Sequence, residues 1–232
     1  NMIAFISGDF ETAEMLKLVE EYYGKYPRGE TPALEEFSIS PPYGTKIHIK
    51  NFASKVTYIN VSLPGPLYSD PDYFAFDVLS QILDSDVSPL SKALTGDDAP
   101  LATDISVSLD MQKEYTMMSI SIKTNDRRNV KPIVTRTIET LMGLIETEFN
   151  DDDIRRVVVP NKVYEIKLEE KLHYYGIMKA PYLATAGFEF LESYIGNLSL
   201  VTPDDINGIV QKYFSEPEYV ACALASRQEV DK

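Results

Sequence analysis

Histidine, cysteine and clustered carboxylates are the side chains in this sequence that could perform chemistry. The histidines are His48 and His173, and Cys222 is the only cysteine. No pair of them has the spacing of metal ligands. A zinc site built from His173 and Glu169, one helical turn apart, would lack a third ligand. We therefore predict no metal ligands and no cofactor in this chain, and we interpret both histidines as solvated or hydrogen-bonded.

The clustered carboxylates have structural explanations. The Asp-Asp pairs at 97–98 and 204–205 read as loop and first-turn acids, and the run at 151–153 precedes a helix. Acidic residues in the first turn stabilise a helix through its dipole. Cys222 lies in the apolar run YVACALA, which predicts a small buried side chain and not a nucleophile. With no G-x-S-x-G and no phosphate-binding loop, we predict no catalytic residue.

The composition excludes several function classes. The chain has 232 residues, 44% of them hydrophobic, and a formal net charge of −14. This charge argues against nucleic acid and against an anionic membrane surface as partners. No stretch approaches the roughly 18 apolar residues of a membrane span. The first residues contain no positive n-region, which argues against a signal peptide and favours a soluble, cytoplasmic protein.

Periodicity predicts the strands that would position these residues. The apolar run at 2–7 predicts a strand covered on both faces, followed by a helix with Met15, Val19 and Tyr22 on one side. Strands are also predicted at TKIHIKNF, at KVTYINVSLPG, in a hairpin around the turn QKE, and at YVACALA. His48 is expected on a solvent-exposed face of its strand.

Capping residues and prolines predict where the helices begin and end. Asp70 and Pro71 are expected to open one helix, and Thr202, with Asp205 three residues later, another. Pro160 lies inside a long helical segment from residue 152 and predicts a kink or a break. A further helix is indicated by an apolar stripe of Val134, Ile138, Leu141, Met142 and Ile145.

The segment 27–44 predicts a boundary. It contains four prolines, two glycines and no regular period, so we interpret it as an extended linker. The end of the chain, EYVACALASRQE, echoes its beginning, NMIAFISGDFET. We therefore expect residues 1–26 to be the strand–helix tail of one unit and residues 45–232 to be a second, complete unit.

Three segments carry a resemblance to a known family. MIAFISGDFETAEMLKLVEEYYGKYP resembles the strand, Gly-Asp-Phe turn and helix that close the N-terminal half of insulinase/pitrilysin-type zinc metallopeptidases. VTYINVSLPGPLYSDPDYFAFDVLSQILDSDVSPLSKAL and LVTPDDINGIVQKYFSEPEYVACALAS are similar to segments of the C-terminal half. Their order and spacing agree with the family along most of the chain.

The resemblance implies a fold and a function. The fold would be α+β, an antiparallel-rich mixed sheet with helices packed on one face, and two such halves would enclose a chamber for an extended peptide substrate. The HxxEH zinc motif belongs to the first half, so zinc is expected in the full-length enzyme and not in this chain. The implied partner is the N-terminal half-domain, in the same or a partner chain. This chain would then be a chamber-forming half that is not catalytic alone.

One stretch departs from the family pattern. Active members have an Arg and a Tyr in the second half, and without gaps these fall at Thr95 and Ala102, or at Thr103 after a shift of one residue. We treat Thr95, Ala102 and Thr103 as the substrate-binding positions of the pattern, although neither residue type is kept. Either another half or subunit supplies the pair, or the protein is a non-catalytic scaffold or partner subunit. A third hypothesis is an unrelated α+β ligand-binding domain.

Overall fold

A five-stranded mixed sheet organises the described part of the chain. The computed structural model describes residues 4–27, 29–30, 46–96 and 100–226. The sheet order is β1-β5-β2-β4-β3, with β1 parallel to β5 and the other neighbours antiparallel. The strands are β1 Lys46–Phe52, β2 Thr57–Gly65, β3 Asp104–Met111, β4 Thr116–Thr124 and β5 Val220–Ser226.

Helices precede β1 and form most of the β2–β3 and β4–β5 connections. Short 3-10 turns at Arg127–Asn129 and Leu144–Glu146 flank α4. No helix in the described ranges combines the length and the apolar character needed to cross a membrane. The helices are α1 Thr12–Tyr23, α2 Tyr73–Leu83, α3 Pro89–Thr95, α4 Val130–Gly143, α5 Asp151–Glu169, α6 Leu172–Ala186, α7 Phe188–Leu198 and α8 Pro203–Phe214.

The core lies between one face of the sheet and the helices. Alternate residues of β2 and β4, such as Val61 and Ile120, are fully buried because strand side chains point to opposite faces in turn. They belong to the same buried cluster as Phe76 and Leu79 of α2 and Phe214 of α8. The predicted α+β fold, with an antiparallel-rich sheet and helices on one face, is confirmed.

Several predicted elements appear in the structure. The hairpin is formed by β3 and β4, with its turn closed by the Gln112 N–H donating to the Tyr115 carbonyl at 2.8 Å. Helix α8 begins with the predicted capping box, in which the Asp205 N–H donates to Thr202 Oγ1 and the Thr202 N–H donates to Asp205 Oδ2. These local hydrogen bonds depend on short sequence spacings, which is why the sequence reveals them.

Three predicted features differ from the structure. Residues 4–7 form no strand, because a strand needs a neighbouring edge and no strand of the described sheet pairs with this segment. Helix α2 begins at Tyr73, because the Asp70 carboxylate accepts the Leu67 N–H at 3.0 Å in a preceding turn. Helix α5 continues through Pro160, since buried residues on both sides, Val157 and Leu168, outweigh one lost hydrogen bond.

The apolar stripe of α4 is only partly a core stripe. Val134, Ile138 and Leu141 are buried as expected. Met142 is 44% exposed because, one residue after the buried Leu141, it lies at the edge of the apolar stripe. Ile145 is 37% exposed because the regular helix ends at Gly143 and the chain turns away through a 3-10 turn. Helical phase and the end of the helix together therefore limit the buried stripe.

Candidate functional site

The face of the sheet opposite the core carries polar side chains and forms a groove. Because residues alternate between faces, those between the buried positions of β2, β3 and β4 emerge here. The groove has a volume of about 680 Å³. Its lining includes His48, Lys50, Tyr58, Asn60, Asp104, Ser106, Ser121, Lys123, Cys222 and Leu224. We call this surface the open face; it is a broad wall and not an enclosed pocket.

Hydrogen bonds and one ion pair arrange the polar groups of the open face. Lys123 Nζ lies 2.8 Å from Asp104 Oδ2, and both side chains are about half exposed. The hydrogen bond to Asp104 raises the pKa of Lys123, although solvent screens the pair. Asn60 accepts the Ser62 hydroxyl at 2.6 Å and donates to Ser121 Oγ at 3.3 Å. These amide and hydroxyl groups can bind the backbone of an extended peptide without demanding a particular charge.

Cys222 is exposed on this face, so the prediction of a buried cysteine is wrong. Its register neighbours are His48 on β1 and Asn60 on β2. The residues that flank Cys222 on β5, Ala221 and Ala223, are the buried ones. All residues of this strand are apolar or small. The sequence pattern therefore could not show which set of alternate residues faces the core. The predicted exposed position of His48, in contrast, is confirmed.

The three positions taken from the family pattern lie around the connection from α3 to β3. Thr95 ends α3 and its hydroxyl donates to the Ser91 carbonyl at 2.8 Å. Ala102 is 3% exposed, and its N–H donates to the Leu94 carbonyl at 2.9 Å. The Thr103 N–H and hydroxyl both donate to the Lys123 carbonyl, at 2.8 and 3.2 Å.

Each of these three residues therefore makes a hydrogen bond that stabilises the connection. Thr103 is exposed and precedes Asp104 at one end of the open face, whereas Thr95 and Ala102 do not line the groove. Their roles in substrate binding stay predictions. The neighbouring pair at 97–98 lies outside the described residues.

The described side chains do not fit a zinc site. A catalytic zinc needs three protein ligands around an open position. Within the ranges that the structure describes, no three His, Cys, Asp or Glu side chains are grouped in a way that could hold a metal ion. The His173 side chain lies outside the described residues, and a helix boundary at 170–171 separates its backbone from Glu169.

A second surface is formed by apolar side chains of α6. Ile177 is 71% exposed, and Tyr174, Met178 and Tyr182 are between 42% and 53% exposed. The N-terminal segment rests on the beginning of this helix, with the Phe5 and Tyr175 ring centroids 6.0 Å apart and Phe5 against Gly176. A helix that is apolar on many sides is normally covered. We call these four residues the α6 surface.

The chain is similar to proteins of known structure, which agree on its fold. Its match to a protease from Helicobacter pylori spans 94% of this chain and 53% of that protease, with 15% sequence identity and a TM-score of 0.81. Its match to the structure of a peptidase M16 inactive domain from Pseudomonas fluorescens spans 97% of this chain and 53% of that chain, with 15% sequence identity and a TM-score of 0.70. A chain of Complex III2 from Candida albicans matches at 12% identity and a TM-score of 0.74, with 94% and 53% covered.

At such low sequence identity, these structural similarities show the fold alone. The chain spans about half the length of these solved chains. The comparison with curated proteins found no match. The family model described as "Peptidase M16 inactive domain" matches residues 1–158, more than half of the chain. The sheet, its helices and this match agree with the resemblance read from the sequence, and the chain belongs to the peptidase M16 inactive-domain family.

Proposed function

We propose that this chain is the C-terminal, chamber-forming half of an insulinase/pitrilysin-type zinc metallopeptidase that cleaves peptides, and that it is not catalytic alone. The observation that supports the proposal is the open face. It is a wide groove on a sheet of the M16 fold, and hydroxyl, amide and partly exposed charged groups line it. An extended peptide can lie along such a wall or pair with a sheet edge. The described residues offer no ligand set for zinc.

The zinc and the general base would come from the N-terminal half-domain, in the same or a partner chain. Hydrolysis of this kind needs a metal-activated water. The positions Thr95, Ala102 and Thr103 would not supply the charged and phenolic donors that hold a substrate carbonyl. We therefore expect this chain alone to bind unfolded peptides no tighter than roughly hundreds of micromolar, near about −5 kcal/mol.

The α6 surface is the contact that we assign to the N-terminal half-domain. The N-terminal segment packs on the same helix, with Phe5 against Tyr175 and Gly176. Burial of a large apolar side chain contributes about 1.5–3 kcal/mol, so covering Ile177 and Met178 would stabilise both halves. The N-terminal segment would then continue directly into the partner that covers the helix.

A non-catalytic scaffold or partner subunit is the second candidate function. The loss of both Arg and Tyr at the positions of the family pattern favours it, because a scaffold has no use for these donors. The fold of a Complex III2 chain from Candida albicans is similar to that of this chain. The two functions differ in whether a zinc-binding half completes an active enzyme.

A reconstitution assay separates these functions. The purified chain is incubated with zinc and a flexible, unfolded peptide, first alone and then with the segment encoded upstream of Asn1. The proposal expects no cleavage by the chain alone, and chelator-sensitive cleavage after the upstream segment is added. No cleavage by the combination would favour the scaffold. Chelator-sensitive turnover that copurifies with this chain alone would refute the non-catalytic assignment.

Peptide binding to the open face is tested separately by a matched pair of substitutions. Ser121→Trp places a large ring in the groove and should weaken peptide binding at least about fivefold, close to 1 kcal/mol. Ser215→Trp makes the same exchange at an exposed position after α8 and should leave binding unchanged. Equal binding by both variants would remove the open face from the proposal.

A further inference from the structure

A row of side chains crosses the open face, with one residue from each strand. The strand register places them side by side in the order Lys50, Leu224, Tyr58, Lys123 and Asp104. All five residues line the groove. Because neighbouring strands lie about 4.8 Å apart, the row extends over roughly 19 Å. We call it the Lys50 row.

The two ends of the Lys50 row differ in charge. At one end Lys123 is paired with Asp104, whose Oδ2 lies 2.8 Å from its Nζ. At the other end Lys50 is exposed, and no carboxylate of the described residues forms an ion pair with it. Asp104 is the only acid among the described residues that line the groove. The Lys50 end of the open face therefore presents a positive charge that the described carboxylates do not neutralise.

This local charge is opposite to the charge of the whole chain. The formal net charge is −14, with 36 acidic residues, yet residues 37–69 contain none of them. That range includes β1 and β2 and the lysines Lys46, Lys50 and Lys55. At about 0.15 M salt the screening length is roughly 8 Å, so a peptide on the open face responds to nearby charges more than to distant ones. An acidic side chain is therefore attracted to Lys50 although the chain as a whole is acidic.

An apolar patch lies next to Lys50 in the same row. Leu224 and Tyr58 are 42% and 44% exposed and are paired in register. The midpoint between their strands is about one and a half strand spacings, or roughly 7 Å, from the Lys50 backbone. In an extended peptide, alternate residues point to the same side and are also about 7 Å apart. A peptide that crosses the strands can thus place one side chain at Lys50 and the next but one over Leu224 and Tyr58.

We propose that the open face selects peptides in which an acidic residue and a large apolar residue are two positions apart, and that Lys50 determines the preference for the acidic residue. The carboxylate pairs with Lys50, and the apolar side chain covers Leu224 and Tyr58. This inference rests on the proposed function, because it names the class of peptide that the open face binds.

Four peptides with blocked ends test the selection in ligand-observed NMR titrations at about 0.15 M salt. They share one glycine-rich frame and contain Glu-Gly-Phe, Gln-Gly-Phe, Lys-Gly-Phe or Glu-Gly-Ala. The Glu-Gly-Phe peptide should bind about threefold tighter than the Gln-Gly-Phe peptide and at least about fivefold tighter than the Lys-Gly-Phe peptide, since an exposed ion pair contributes modestly. The Glu-Gly-Ala peptide should bind at least about threefold more weakly than Glu-Gly-Phe, because it leaves Leu224 and Tyr58 uncovered.

A charge reversal tests the role of Lys50. Lys50→Glu should reverse the order, so that the Lys-Gly-Phe peptide binds tighter than the Glu-Gly-Phe peptide. Lys113→Glu makes the same change of charge at an exposed position in the β3–β4 turn, outside the groove, and should keep the order of the parent. Lys50→Gln should bring the Glu-Gly-Phe and Gln-Gly-Phe peptides to equal affinity. Circular dichroism establishes that each variant is folded.

The outcomes separate this inference from the proposed function. Equal affinity of the parent for the Glu, Gln and Lys peptides, or an unchanged order in Lys50→Glu, would overturn the inference and leave the open face as a peptide-binding wall. No saturable binding of any of the four peptides up to about 10 mM would remove the open face as a peptide site, and the inference with it.

Discussion

Thr116, at the start of β4, has a buried hydroxyl with no hydrogen-bond partner among the described residues. An unpaired buried hydroxyl costs about 1–3 kcal/mol, and valine has the same shape and a high strand propensity. We expect Thr116→Val to raise the free energy of unfolding by about 1 kcal/mol in urea titrations.

The control for this change is Thr137→Val in α4. The Thr137 hydroxyl is also buried, but it donates to the Ile133 carbonyl at 2.8 Å. Its removal should be neutral or destabilising by up to about 1 kcal/mol. If both variants lose stability equally, the Thr116 hydroxyl has a hydrogen-bond partner in the folded protein.

Asp77 is a buried carboxylic acid whose ionisation affects the stability of the fold. It is 6% exposed and accepts hydrogen bonds from Tyr194 at 2.6 Å and Gln81 at 3.0 Å. Burial raises the pKa of Asp77 above its ordinary value, while the two hydrogen bonds oppose the rise. Because the folded pKa is raised, the contribution of Asp77 to stability is fully present below the unfolded pKa and is lost as pH rises through the folded pKa.

Asp77→Asn should remove this pH dependence. The measured quantity is the melting temperature of the variant minus that of the parent. This difference should rise as pH increases from about 4 and level off once the Asp77 carboxyl of the parent is ionised. Each unit of pKa shift corresponds to about 1.4 kcal/mol of folding free energy. A difference for Asp77→Asn that falls with pH would contradict the assigned sign.

At the scale of elements, the capping box of α8 is the clearest local determinant. Thr202 and Asp205 exchange backbone and side-chain hydrogen bonds of 2.9 and 3.2 Å at the helix start. Thr202→Ala should lower the free energy of unfolding by about 1 kcal/mol, measured by denaturant titration. Thr202→Ser should keep most of the stability of the parent, because the serine hydroxyl can make the same cap hydrogen bond. An unchanged midpoint for the alanine variant would show that packing of Ile206 and Ile209 alone sets this helix start.

The elements also show where sequence reasoning stops. Strands and helices with strong periodicity, such as β4 and α8, were predictable because the pattern and the local hydrogen bonds agree. The start of α2 was displaced because Asp70 bonds to a preceding turn, and α5 continued through Pro160 because packing outweighed a local preference. The phase of β5 was hidden because both of its faces carry small or apolar residues.

At the scale of the whole molecule, the open face could be expected only in part. Alternation predicted the exposure of His48, but the neighbours of His48 and Cys222 depend on which strands pair, which sequence spacing does not encode. The ion pair of Glu165 and Lys179 could not be predicted for the same reason, since the two residues meet only when α5 and α6 pack together.

The predicted linker is tested by limited proteolysis. Its proline and glycine content predicts that residues 27–44 are cut first, which leaves the unit from about residue 45 intact. Mass spectrometry of the early fragments would locate the cuts. Protection of 27–44 with early cleavage inside 104–123, the β3–β4 hairpin, would place the boundary elsewhere.

The two edges of the sheet differ in a way that limits self-association. On β3 the Val107 N–H is already bonded to Asp84 Oδ1 at 2.6 Å, which blocks a further strand there. On β1 no strand of the described ranges pairs with the outer edge, and Ile49 and Phe52 are 47% and 53% exposed. Two molecules could therefore join through β1, but a third would find no edge to extend. Edge pairing in concentrated solution should end at a closed dimer and should not propagate into fibrils.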